Sequence, residues 1–134
     1  MLEILSIYPS IHPFKLVVSN IGGQFFETKK PTFFSGSSSF YYSKAKKTNA
    51  ELIETTTLNQ FLSKQNNYAD IIKIDVEGAE LAVLEGGIGL VFEKASFVII
   101  EVGEDNRLLR SSGGTVDDVY SLMGKQGFSC FYDI

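Results

Sequence analysis

This 134-residue chain is poor in the side chains on which sulfur and imidazole chemistry depend. Its one cysteine, Cys130, excludes an intrachain disulfide and any multi-cysteine zinc site. Cys130 lies in GFSCFYDI, which reads as a strand, where a buried and unreactive thiol is the default. The single histidine, His12, stands beside Pro13 in a connecting segment, which gives Ser-His-Asp catalysis no footing. A basic excess is missing too. The net charge of −4 argues against a nucleic-acid partner, which would need a basic stripe. Lys29, Lys30, Lys44, Lys46 and Lys47 flank a Ser-rich segment and read as a solvated loop. No apolar run reaches 18 residues, so no membrane span is expected. The first dozen residues hold neither a basic n-region nor a cleavage site, which argues against a secretory signal. A reduced, cytoplasmic setting follows as the expectation.

What is present suits one globular domain over 1–134. Hydrophobic residues make up 44% and charged ones 21%, and a chain this long buries roughly two-thirds of its unfolded surface. Residues 2–8 carry apolar side chains at helical spacing and stop at Pro9. A strand is expected over 14–19, closed by Asn20-Ile21-Gly22-Gly23, with 24–28 pairing back on it. Residues 31–43 mix five aromatics with Ser and Gly and read as a long loop. Alternation over 51–57 predicts a strand with one wet face, and Thr57 caps a helix over 58–65 with Leu58, Phe61 and Leu62 inward. Buried strands are expected at 71–74 and 97–100. A helix over 78–85 turns Leu81, Val83 and Leu84 inward, Gly86-Gly87 ends it, and a helical turn or two covers 88–93. After a loop at 111–114, Thr115 and Asp118 form a capping box for a helix over 116–124, with Val116, Val119, Tyr120 and Met123 inward. A last strand spans 128–132. Strands alternating with helices predict an α/β fold with a largely parallel centre.

The two central apolar runs each end on a carboxylate, Asp75 and Glu101. Ligands of open α/β sheets sit at the carboxyl ends of the strands, so these acids, with Glu77, would stand at the lip of a crevice. A bland reading competes. Glu77 and Glu80 suit the first turn of a helix, where the macrodipole favours negative charge by roughly 0.3–1 kcal/mol, and Asp75 can cap that helix. A nucleotide-hydrolysis reading of the strand-Asp-x-x-Gly pattern needs Gly-x4-Gly-Lys-Ser/Thr upstream, and Ser35-Gly36-Ser37 lacks the lysine.

The 16-residue order IKIDVEGAELAVLEGG resembles the signature block of FkbM-type methyltransferases, which use S-adenosylmethionine. The flanks are similar as well: LVVSNIGGQFFE, SGSSSF and IETTTLNQFL before the block, then SFVIIEV and LMGKQGFSCFYDI after it, together covering roughly 14–132. The resemblance implies a class I methyltransferase fold, Rossmann-like, with a seven-stranded, mostly parallel sheet and helices on both faces. It implies methyl transfer to a hydroxyl acceptor, with Asp75 as base or orienting group, Glu77 positioning the substrate or a metal, and Glu101 lining the same crevice. A glycan, lipid or other small-molecule hydroxyl is compatible with an aromatic flap at 33–42. No metal is assigned. The Gly-rich turn that cradles the cofactor in that fold has no counterpart here, because Gly22-Gly23 follows the wrong strand with no helix behind it. No residue is therefore assigned to cofactor binding. The chain reads as a partial domain lacking the first two strands: a fragment, a domain completed by another chain, or a rearranged, non-catalytic α/β binding or pairing module. The missing neighbour would leave an unpaired edge on the 71–75 strand and a tendency to self-associate there.

Overall fold

A computed structural model describes residues 10–29, 50–102, 109 and 113–129. The expected helix over 2–8, the loop over 31–43 and residues 130–132 of the last strand, Cys130 included, lie outside them. Phe128 and Ser129 are not in a strand. Among the described residues no helix is long and apolar enough to cross a membrane.

The architecture is mixed α/β, with five strands in two small sheets among the described residues. The first has the order β1-β3-β2, where β1 is Val17–Val18, β2 Phe25–Lys29 and β3 Ala50–Thr56. It is a mixed sheet: β1 runs parallel to β3, with Val17 opposite Thr55, and β2 runs antiparallel to it, with Phe25 opposite Glu54. The expected pairing of 24–28 with 14–19 is thus replaced by pairing with β3. The reason is local. Ser19 N–H donates to the Thr56 carbonyl at 2.9 Å and Gly23 N–H to that of Thr55 at 2.9 Å, so the Asn20–Gly23 turn carries the chain over the end of β3. The first strand is also shorter than expected, and Phe14 packs edge-on against Phe61 at 4.9 Å.

Thr57 opens α1 (Leu58–Lys64) with a complete capping box: its hydroxyl accepts from Gln60 N–H at 3.0 Å, and the Gln60 side chain accepts from Thr57 N–H at 3.2 Å. Helix α1 buries none of its residues fully. The second sheet pairs β4 (Ile71–Ile74) with β5 (Phe97–Ile100) in parallel, Ile71 opposite Phe97 and Ile74 opposite Ile100. Between them lie α2 (Glu80–Glu85) and hydrogen-bonded turns over 88–94, as a parallel crossover requires. The C-cap Gly86 has an ordinary φ of −69°, so its value is not left-handed freedom. A side chain there would collide with the Ser19 carbonyl, and glycine lets β1 and α2 approach. Helix α3 (Val116–Lys125) starts on the expected Thr115–Asp118 box.

The core gathers Ile72 and Ile74 of β4, Val83 and Leu84 of α2, Val91, Phe92, Leu109, and Val119 and Met123 of α3. Successive strand residues face opposite ways, so among the described residues this core covers one side of β4 and β5. Ile71, Phe97 and Ile99 on the other side are 63%, 65% and 55% exposed. The expectation of two fully buried strands is corrected: each is half-buried.

Candidate functional site

The parallel register that sets Ile74 opposite Ile100 brings the next residues, Asp75 and Glu101, to one end of the sheet. Glu101 N–H donates to the Ile74 carbonyl at 3.0 Å, which fixes that end. Lys73, two residues before Asp75, shares its face by the period of the strand. Its Nζ lies 2.8 Å from Asp75 Oδ2 and 4.0 Å from Glu101 Oε2. The structure thus joins two of the three expected acids through one lysine. All three side chains are exposed, so the pairing adds little to stability. Its effect is on charge. The hydrogen bond from Lys73, reinforced by Coulombic attraction, holds the Asp75 carboxyl below the ordinary carboxylate value, and the same bond raises the Lys73 ammonium. At neutral pH the rim therefore presents Asp75 as a carboxylate, able to accept a hydrogen bond from a hydroxyl.

Glu77 stands apart from that pair, exposed in the turn between β4 and α2. Neither it nor Asp75 belongs to the helix start. Glu77 has φ +53° and Gly78 φ +109°, so the chain passes through two left-handed residues. For Glu77 that conformation costs roughly 1–2 kcal/mol. The helix begins after Ala79, which supplies no side-chain cap. The competing reading of Asp75 as a helix cap does not hold: Asp75 is turned to Lys73, and Glu80 serves the turn by accepting Gly78 N–H on Oε1 at 2.9 Å. Glu80 does stand in the first turn of the helix, as expected, but it is only 2% exposed, and its Oε2 has no hydrogen-bond partner among the described residues.

The sequence assigns Lys73 no role at this site, and it shows Glu80 as a first-turn acid but not its burial. Lys73 was signalled by its spacing, since residues two apart on a strand share a face. Glu80 gave no such signal, because its burial depends on a turn whose left-handed geometry a glutamate does not announce.

Among the described residues no three of His, Cys, Asp and Glu gather as a metal site. The Gly22-Gly23 turn is closed to a ligand at Gly22, where a side chain would run into the Gln60 amide. The described residues thus offer an anionic rim that fits the charge of a sulfonium, and no cradle for the rest of S-adenosylmethionine. Neither a curated relative nor a solved structure matches the chain. A family model described as the methyltransferase FkbM domain matches residues 10–130, across β1 to α3 and through the whole acid rim. The chain belongs to the FkbM methyltransferase domain family.

Proposed function

We propose that the chain is a class I, Rossmann-like, S-adenosylmethionine-dependent methyltransferase that methylates a hydroxyl. The observation that carries this reading is the junction of Asp75 and Glu101 on Lys73 at the carboxyl ends of two parallel strands, within the family match. When bound, S-adenosylmethionine supplies an electrophilic methyl group on sulfur. Asp75 orients the acceptor hydroxyl and receives its proton, while Glu101 lines the crevice from β5 and Glu77 positions the acceptor from the strained turn. Because Lys73 keeps Asp75 weakly basic, orientation contributes more than proton abstraction. The acceptor is a small molecule, a glycan or a lipid bearing that hydroxyl, and the setting is the cytoplasm.

The test uses a labelled methyl donor and a panel of hydroxyl acceptors, with S-adenosylhomocysteine binding measured by calorimetry. Asp75→Asn is expected to lower turnover about a hundredfold or more while the melting temperature holds. Undiminished turnover in that variant would remove Asp75 from the chemistry.

A second reading has its own observation. The uncovered face of Ile71, Phe97 and Ile99 suits a non-catalytic module that pairs with another copy through its sheet. This reading expects a concentration-dependent dimer in sedimentation and no thermal shift with S-adenosylhomocysteine. A monomer that binds the cofactor rules it out.

A further inference from the structure

A hollow of about 380 Å³ lies between the end of α1 and the turns that precede β5. Its walls include Leu62, Leu90 and Val91, and its polar lining includes Asn66, Tyr68 and Lys94. Residues 66–68 lead into β4 and residues 90–94 lead into β5, so the hollow sits at the amino ends of the parallel pair. Asp75 and Glu101 follow the carboxyl ends, and a strand of this length spans roughly 13 Å at about 3.3 Å per residue. The hollow is therefore separate from the acid rim and does not rest on the methyl-transfer reading.

Its chemistry is one-sided. In a chain of net charge −4, no acid among the described residues lines this hollow, and the one charged residue among those that do is Lys94. Lys94 has no ion pair among the described residues. The other polar groups bias it further toward donors. Asn67 uses its side-chain oxygen to accept Tyr68 N–H at 2.9 Å, which leaves its NH2 for a ligand. Ser63, also in the lining, adds a hydroxyl. The frame is already set: Asn66 N–H donates to the Ser63 carbonyl at 3.0 Å and Asn67 N–H to that of Leu62 at 3.1 Å. Asn66 closes this bend at φ +49°, a conformation that asparagine tolerates better than most residues. On the apolar side, Tyr68 and Leu90 are exposed large side chains, while Val91 is buried behind them.

We propose that this hollow binds a small amphipathic anion: an apolar, ring-sized body against Tyr68 and Leu90, with one carboxylate or phosphate on Lys94 and the neighbouring amide donors. The volume falls within the usual range for small-molecule pockets, and the few polar groups would fix orientation.

The experiment is an amide NMR titration of the whole chain with phenylacetate, phenyl phosphate and, as the neutral control, benzyl alcohol. Saturable shifts are expected at residues 66–68 and 90–94 with at least one of the anions, weaker ones with benzyl alcohol, and none beside Asp75 and Glu101. The anion that binds more tightly distinguishes carboxylate from phosphate. Lys94→Gln should weaken the anion about threefold to fivefold without changing benzyl alcohol binding, and Tyr68→Ala should weaken all three. Absence of saturable shifts at these residues, equal anion binding by Lys94→Gln, or shifts that follow every surface lysine would overturn the proposal.

Discussion

Glu80 makes the sharpest demand of any single residue. Its carboxyl is buried, one oxygen braces the left-handed turn through Gly78 N–H, and the other has no partner among the described residues. An unpartnered buried polar oxygen is a cost, whereas the brace is a gain. The two effects separate by substitution. Glu80→Gln keeps an oxygen for Gly78 and removes the acid, so it should be at least as stable as the parent in chemical denaturation. Glu80→Ala removes the brace and leaves a void, and is expected to lose about 1–3 kcal/mol. Equal losses in both variants would mean that the second oxygen is satisfied and the acid is structural. The Lys73–Asp75 pair gives a prediction of a different kind. Asp75, held below its ordinary value, contributes stability that is present above the ordinary carboxylate pKa and lost as pH falls through the lowered one. Lys73, raised, contributes below the ordinary lysine pKa and loses that contribution as pH rises through the raised one. Exposure keeps both amplitudes small, so the midpoint is the better readout. Lys73→Met should move the Asp75 carboxyl midpoint upward in NMR titration; an unmoved midpoint would show that Lys73 does not govern it.

At the scale of elements, the parts legible in the sequence were those whose signals are local. The runs at 71–74 and 97–100 are bounded by Asp70 and Asp75, and by Ser96 and Glu101, and both strands have those limits. Thr115 with Asp118 announced α3, whose apolar spacing then placed Val119 and Met123 in the core. The first strand could not be read in the same way, because its extent depends on the partner it finds, and β3 accepts only Val17 and Val18. The candidate site divides likewise. Asp75 and Glu101 were visible as acids ending apolar runs, while the turn that buries Glu80 was not. The two capping boxes make a comparison that local signals alone do not decide. Thr57→Ala and Thr115→Ala each remove a hydroxyl that accepts a backbone N–H, worth about 1 kcal/mol. Helix α1 buries no residue fully, whereas α3 holds Val119 and Met123 in the core. Loss of the Thr57 cap should therefore appear as faster hydrogen exchange confined to α1, and loss of the Thr115 cap as lower global stability. Exchange that quickens throughout the chain for Thr57→Ala would show that α1 unfolds only with the rest.

For the molecule as a whole, the decisive fact is that, among the described residues, helices cover one side of the β4–β5 pair. An apolar run reads the same whether one face or two are covered, which is why Ile71 and Phe97 passed as core in the sequence. The difference has a free-energy signature. Substitution at a solvated position usually changes stability by no more than about 0.5 kcal/mol, whereas removing a packed Phe costs about 3–5 kcal/mol. Phe97→Lys with Ile99→Thr is expected to leave chemical stability within about 1 kcal/mol, since both positions are more than half exposed. The same double variant should raise solubility, because it breaks an apolar patch lying along a sheet whose β4 has a strand on one edge only among the described residues. Denaturation and sedimentation on one preparation separate the cases. Unchanged stability with weaker self-association would mark the face as the surface through which copies meet. A loss of several kcal/mol would mean that the two side chains are packed against something in solution, and the half-covered sheet would no longer describe the protein.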